Sequence, residues 1–278
     1  MDTPIYGSSF VTSDGVRLHV LEACPPEVSM QDAPSPVIAF IPGWSMPADV
    51  WREQLRMLGT THCVAALDPR GQGESEVAAS GYSIERRATD IREFVARYPR
   101  VVLVGWSLGA LEALQYVHRD GHAAVDALVL VDSSVGEDPE PDPAAGPGFR
   151  ETIKQDRQAA VEDFVRGIFG ATRTESELET MTTAALRMPL DASLSIFPQG
   201  TPRTHWRDIV WAFPKPLLYA VSAQFAAQAR SLQQNRPATR IEIFDEAGHA
   251  LFADEPARFN ELLMRFVNGE PDRPPPQD

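Results

Sequence analysis

A chain of 278 residues with 39 acidic and 25 basic side chains carries a formal net charge of −14. Binding to nucleic acid needs a basic stripe that releases counterions from phosphates, and none is visible, so that class of partner is excluded. No run approaches the ~18 apolar residues of a membrane span, and the start MDTPIYGSSF lacks the charge and apolar core of a secretory signal. A soluble, cytoplasmic protein with no membrane partner is therefore expected. Cys24 and Cys63 show no CxxC or metal-type spacing and are expected to be unpaired thiols.

In chain order, the first signal is a hairpin over Ser8–Glu22, with Asp14-Gly15 as its turn. After a proline-rich connector, continuous apolar runs at Pro36–Ile41, Cys63–Leu67, Val101–Val104, Ala127–Val131 and Pro216–Val221 predict strands buried on both faces. Arg240–Phe244 is more alternating. Helical spacing of apolar residues over Ser83–Tyr98, Ala110–His118 and Pro256–Val267 places helices between or after these strands. The alternation predicts an α/β fold with a mostly parallel sheet covered on both faces.

The stretch 136–208 breaks that rhythm. It opens with an acidic, proline-rich loop (Glu137–Pro147) and continues with helical patterns at Phe149–Phe169 and Ser176–Met188. A helical cap over residues 136–208, inserted in a core of residues 1–135 and 209–278, is expected. The segment 268–278, with four prolines and no apolar anchor, is expected to be a disordered tail.

Between a buried strand and a helix stands Gly105-Trp106-Ser107-Leu108-Gly109. This is a nucleophile-elbow pattern, in which small residues allow a turn sharp enough to lift Ser107 Oγ above the sheet. A serine nucleophile needs a base from a late loop at the same rim. His249 follows the last strand and precedes the final helix, whereas His19, His62, His118, His122 and His205 read as surface or packing residues. The base in turn needs a carboxylate to fix its tautomer.

These features, with the proline-glycine turn at Pro42-Gly43 and Asp68-Pro-Arg-Gly-Gln-Gly-Glu-Ser75, resemble the α/β-hydrolase superfamily over nearly the whole chain. In most members the acid follows the strand after the cap. Here that position falls near Gln224 and Phe225, and Leu217–Arg240 contains no Asp or Glu. A minority arrangement puts the acid after the preceding strand, where Asp132 stands, with Asp245 and Glu246 as lesser candidates. The resemblance also implies an oxyanion hole from the backbone N–H groups of Trp44 and Leu108, and no metal or cofactor.

Pro42–Trp51, Val104–Gly109 and the cap pattern are further similar to the esterases that remove the methyl ester from pimeloyl-carrier protein, although Pro42 replaces the histidine common there. That resemblance implies a serine carboxylesterase acting on a small-molecule ester, such as a methyl ester of an acyl chain or of an acyl-carrier conjugate. Trp44, Leu108, Phe164, Phe169 and Leu186 are candidate substrate-lining residues. Arg150, Lys154 and Arg157, continued by Arg166, form a candidate cationic face for an acidic carrier. The alternative is a cofactor-independent dioxygenase of the same fold, in which a His–Asp pair deprotonates a heteroaromatic substrate. Carbon–carbon hydrolases and a non-catalytic binding protein are weaker rivals.

Overall fold

The computed structural model describes residues 3–137, 148–171, 173–198 and 200–271. The expected acidic loop beyond Glu137 and the expected tail beyond Pro271 lie outside the described residues.

Eight strands form one sheet in the order β1-β2-β4-β3-β5-β6-β7-β8. The hairpin supplies β1 (Tyr6–Val11) and β2 (Arg17–Ala23), which are antiparallel to each other, and β2 is antiparallel to β4 (Val64–Asp68). From β4 onward the sheet is parallel through β3 (Val37–Ile41), β5 (Val101–Trp106), β6 (Val125–Val131), β7 (Leu217–Ser222) and β8 (Thr239–Phe244). Every residue of β3, β4, β5 and β7 is buried, which is why they read as unbroken apolar runs. Strand β8 has a neighbour on one side only, and residues 240–243 are all half-buried, so its mixed polar and apolar sequence reflects an edge position.

The flanking helices include α1 (Arg52–Leu58), α2 (Ile84–Val95) and α3 (Leu108–Asp120). Helix α2 starts at Ser83, whose hydroxyl accepts from the Arg86 N–H and satisfies one of the orphan donors of the first turn. Between β6 and β7 come α4 (Phe149–Gln155), α5 (Arg157–Gly167), α6 (Glu175–Leu186), α7 (Leu190–Ser195) and α8 (Arg203–Ala212), with no strand among the described residues. The pattern over Phe149–Phe169 predicts one helix and the structure has two. Asp156 lies between them in extended conformation, and its side chain accepts from the Ala159 N–H to cap α5. Helix α8 runs across the expected boundary at 208 and ends only at Ala212. The chain closes with α9 (Ala226–Asn235), α10 (Leu251–Asp254) and α11 (Pro256–Val267). No helix among the described residues is long and apolar enough to cross a membrane.

The motif Asp68–Ser75 is a brace. Asp68 accepts from the Ala48 and Glu74 N–H groups and lies 2.8 Å from His19 Nδ1, a bond that raises the His19 pKa even though burial opposes it. Arg70, fully buried, is bidentate on Asp90 and also reaches Asp14. Breaking one side of such a pair would strand a buried charge.

The cysteines correct the sequence expectation, because Cys24 and Cys63 form a disulfide across 39 residues. The cause is register: Ala23 pairs with Val64 in the antiparallel β2–β4 ladder, and the next step brings Cys24 opposite Cys63. Closing a loop of 39 residues removes about 4 kcal/mol of chain entropy from the unfolded state. Dithiothreitol is therefore expected to lower the Tm of the wild type by roughly 10 °C and to leave a Cys24→Ser/Cys63→Ser variant unmoved. A wild type indifferent to reductant would return the pair to free thiols.

Candidate active site

Strands β5, β6 and β7 are neighbours, with Trp106 opposite Val131 and Val131 opposite Ala220. The residues just past the first two carboxyl ends are Ser107 and Asp132, on adjacent strands and thus about one strand spacing apart. Both have left-handed backbones, with φ of +54° and +41°. Each is pinned by a hydrogen bond to the next strand, Ser107 N–H to the Val131 carbonyl and Asp132 N–H to the Ala220 carbonyl, both 2.9 Å. Side-chain-bearing residues adopt such a backbone only when their surroundings hold them there.

The elbow explains its glycines. A Cβ on Gly105 would lie 2.5 Å from the Gly109 carbonyl oxygen, and one on Gly109 would lie 2.5 Å from the Pro42 oxygen. The strand, the first turn of α3 and the end of β3 therefore pack backbone to backbone, which is what the GxSxG spacing requires.

His249 lies on the loop after β8. Its Nε2 is 2.9 Å from Ser107 Oγ and its Nδ1 is 2.7 Å from Asp132 Oδ2. With Nδ1–H donating to the carboxylate, Nε2 keeps its lone pair and accepts from the serine hydroxyl. Asp132 is wholly buried, and its charge is satisfied by other donors as well. Ser222 N–H donates to Oδ1 at 2.6 Å and Gln224 Nε2 donates to Oδ2 at 2.7 Å. Gln224 is also 3.5 Å from His249 Nδ1. Since both of those nitrogens carry hydrogen, the amide serves the carboxylate, not the imidazole.

Two groups without a sequence signal hold the histidine loop. The Trp106 indole N–H donates to the His249 carbonyl at 2.9 Å, so the residue before Ser107 anchors His249. Asp254 on α10 accepts from the Gly248 N–H at 2.9 Å and the Gly170 N–H at 2.7 Å, and it pairs with Arg173 at 3.1 Å. One carboxylate thus ties the loop of His249 to the α5–α6 connection.

Leu108 opens α3, so its N–H belongs to a helix start directed at Ser107. Trp44 is 4% exposed and donates its indole N–H to the Ser193 carbonyl at 2.7 Å. Its ring meets Phe149 and Phe164 edge-on and stacks on Phe197. The structure therefore brings Trp44 and Phe164 together. Phe169 sits elsewhere, under the Arg173 guanidinium, lining a groove of about 810 Å³ whose walls include neither Ser107 nor His249. Leu186 lines a different groove with Glu162, Arg166 and Glu175.

The expected cationic face is also divided. Arg157 turns inward and donates to the Leu186 and Met188 carbonyls, and burial lowers its pKa. Arg166 is bidentate on Glu175. The break at Asp156 leaves Arg150 and Lys154 on their own helix.

Residues 38–262 match the model of the Alpha/beta hydrolase family. The chain belongs to this family. Among proteins similar to this alpha/beta hydrolase is the pimeloyl-[acyl-carrier protein] methyl ester esterase of Cronobacter sakazakii, 27% identical over 82% of this chain and 91% of the relative. The enzyme of the same description from Citrobacter koseri is 28% identical over 82% and 92%. In solved structures, a putative aryl esterase from Burkholderia cenocepacia superposes with a TM-score of 0.78, at 26% identity and over 95% of this chain and 98% of that one.

Proposed function

We propose that this alpha/beta hydrolase is a serine carboxylesterase in which Ser107, His249 and Asp132 act as nucleophile, base and acid. The observation that carries the reading is the bridging imidazole, 2.9 Å from Ser107 Oγ on one side and 2.7 Å from Asp132 on the other. The ester names of its relatives support the substrate class.

Ser107 gives its proton to His249 Nε2 as Oγ attacks the ester carbonyl carbon. The carbonyl electron pair moves onto oxygen, where the Trp44 and Leu108 N–H groups stabilise it. Collapse of the tetrahedral adduct expels the alkoxide, which takes the proton from His249 and leaves as alcohol. Water, deprotonated by the same imidazole, then attacks the acyl carbon, and the second adduct collapses by breaking its bond to Ser107 Oγ, which recovers the proton from His249, so that ester plus water yields acid plus alcohol. Asp132 holds the tautomer and balances the imidazolium in both halves. Helices α4–α8, roughly the expected residues 136–208, serve as the cap, with Trp44 and Phe164 walling the acyl side. A methyl ester of an acyl chain, free or carrier-linked, is the substrate that the relatives' names favour, and Arg150 and Lys154 on α4 are the cations left to meet an acidic carrier. A dioxygenase would use the His249–Asp132 pair without the serine, whereas here the base is already engaged by Ser107 Oγ.

Intact-mass analysis after exposure to a fluorophosphonate, with short aryl and methyl esters assayed in parallel, tests the proposal. One adduct per chain together with ester cleavage is expected. No adduct and no cleavage would sink it.

A further inference from the structure

Beneath the turn that carries Trp44 runs a chain of buried polar side chains that the proton transfers do not use. Gln72, Arg87 and Glu112 are each at most 1% exposed. Gln72 Nε2 donates to the Gly43 carbonyl at 3.2 Å and to the Met46 carbonyl at 2.6 Å. At its other end Gln72 Oε1 accepts from Arg87 Nη1 at 3.0 Å, and Arg87 Nη2 donates to Glu112 Oε2 at 3.2 Å. Arg87 belongs to α2. Glu112 belongs to α3, one turn beyond Leu108, so the chain links the Trp44 turn to the helix that begins with the other oxyanion donor.

This arrangement costs stability. A buried ion pair is often no better than apolar side chains of the same volume. Glu112 Oε1 has no hydrogen-bond partner. Burial pushes its pKa up to about 7, with the neighbouring Asp90 adding to the rise and Arg87 opposing it. Unlike the neighbouring Arg70–Asp90 pair, this chain ends on main-chain oxygens of the Trp44 turn, which points to a role beyond packing.

Peptide geometry supplies one. The Gly43 carbonyl and the Trp44 N–H belong to a single planar trans unit and point in opposite directions, so a bond that fixes the oxygen fixes the aim of the N–H. The turn's own hydrogen bond, from Met46 N–H to the Gly43 carbonyl, is long at 3.2 Å and shares that oxygen with Gln72. Ser45 has a φ of +56° and its buried hydroxyl has no partner, a conformation that must be imposed from outside. The turn also abuts the nucleophile, since a Cβ on Gly43 would lie 3.2 Å from Ser107 Cβ.

We propose that Gln72, held in place by the Arg87–Glu112 pair, is a positioning residue that aims the Trp44 N–H at the oxyanion. The proposal rests on the serine-esterase reading. It predicts that Gln72→Met lowers kcat for an aryl ester about 10- to 100-fold, somewhat less than outright loss of an oxyanion donor, with KM changed by less than about twofold. Affinity for a trifluoromethyl ketone, which places an oxyanion in the hole, should fall by the same factor as kcat.

Arg87→Met/Glu112→Leu carries the test should Gln72→Met fail to fold. Replacing the ion pair by apolar side chains is expected to keep or raise Tm while kcat falls about tenfold. Wild-type turnover in these folded variants, or a loss of kcat matched by no loss of ketone affinity, would overturn the proposal while leaving the esterase reading intact. Failure of the wild type itself to take up a fluorophosphonate would overturn both together.

Discussion

Replacing Ser107 by alanine is expected to abolish fluorophosphonate labelling and to lower kcat for ester hydrolysis about a millionfold, the scale seen when a serine protease loses its nucleophile. Among the described residues it is the Ser107 hydroxyl that His249 Nε2 meets, 2.9 Å away, and alanine leaves nothing in its place. Some rate above the uncatalysed reaction should survive, since the backbone N–H groups of Trp44 and Leu108 remain to stabilise the adduct formed by water. The fold should not suffer: the left-handed backbone at residue 107 is held by the bond to the Val131 carbonyl and is equally strained for serine and alanine. Thermal melting within a few degrees of wild type, beside the lost activity, would place the effect in chemistry. Retention of more than a hundredth of the wild-type kcat would mean that His249 activates water directly, and the acyl-enzyme route would fall.

The parallel strands were legible because burial on both faces leaves no room for polar residues, so β3 to β7 appear as apolar runs. Ser107 and His249 were legible because an elbow demands glycines at fixed spacing and a base demands a late loop. What escaped depends on neighbours remote in sequence. The disulfide follows from β2 lying antiparallel to β4, and no local feature of Cys24 or Cys63 announces it. Arg157 looked like part of a cationic face because helical periodicity aligned it with Arg150, but the extended residue Asp156 interrupts that periodicity. Gln72, Arg87 and Glu112 come from a loop and two helices, and only packing shows that they touch. Gln224 is the most instructive case. By its sequence it marks the place where an acid is missing, yet in the fold its amide donates to Asp132, which stands one strand away.

That placement sharpens the test of Asp132. Asp132→Asn is expected to lower kcat about 10⁴-fold, the scale found when a protease triad loses its acid to asparagine. The reason lies in the donors around the carboxylate. Ser222 N–H is a fixed main-chain donor that needs an acceptor at Oδ1, whereas the Gln224 amide can turn its oxygen inward, so the new amide nitrogen takes the place of Oδ2, facing His249 Nδ1. A donor there forces Nδ1 to accept, the proton moves to Nε2, and the imidazole meets the Ser107 hydroxyl with a hydrogen in place of a lone pair. Gln224 is 3.5 Å from the same Nδ1. A carboxylate introduced by Gln224→Glu can accept Nδ1–H and take the substituted amide on β6 as its own donor, restoring tautomer and charge from the neighbouring strand. The double variant Asp132→Asn/Gln224→Glu should therefore regain at least about tenfold in kcat over Asp132→Asn. A single variant with more than about a tenth of wild-type activity would remove Asp132 from the triad. If the single variant is crippled and the double variant no faster, the position of the charge, and not merely its presence beside Nδ1, governs the base.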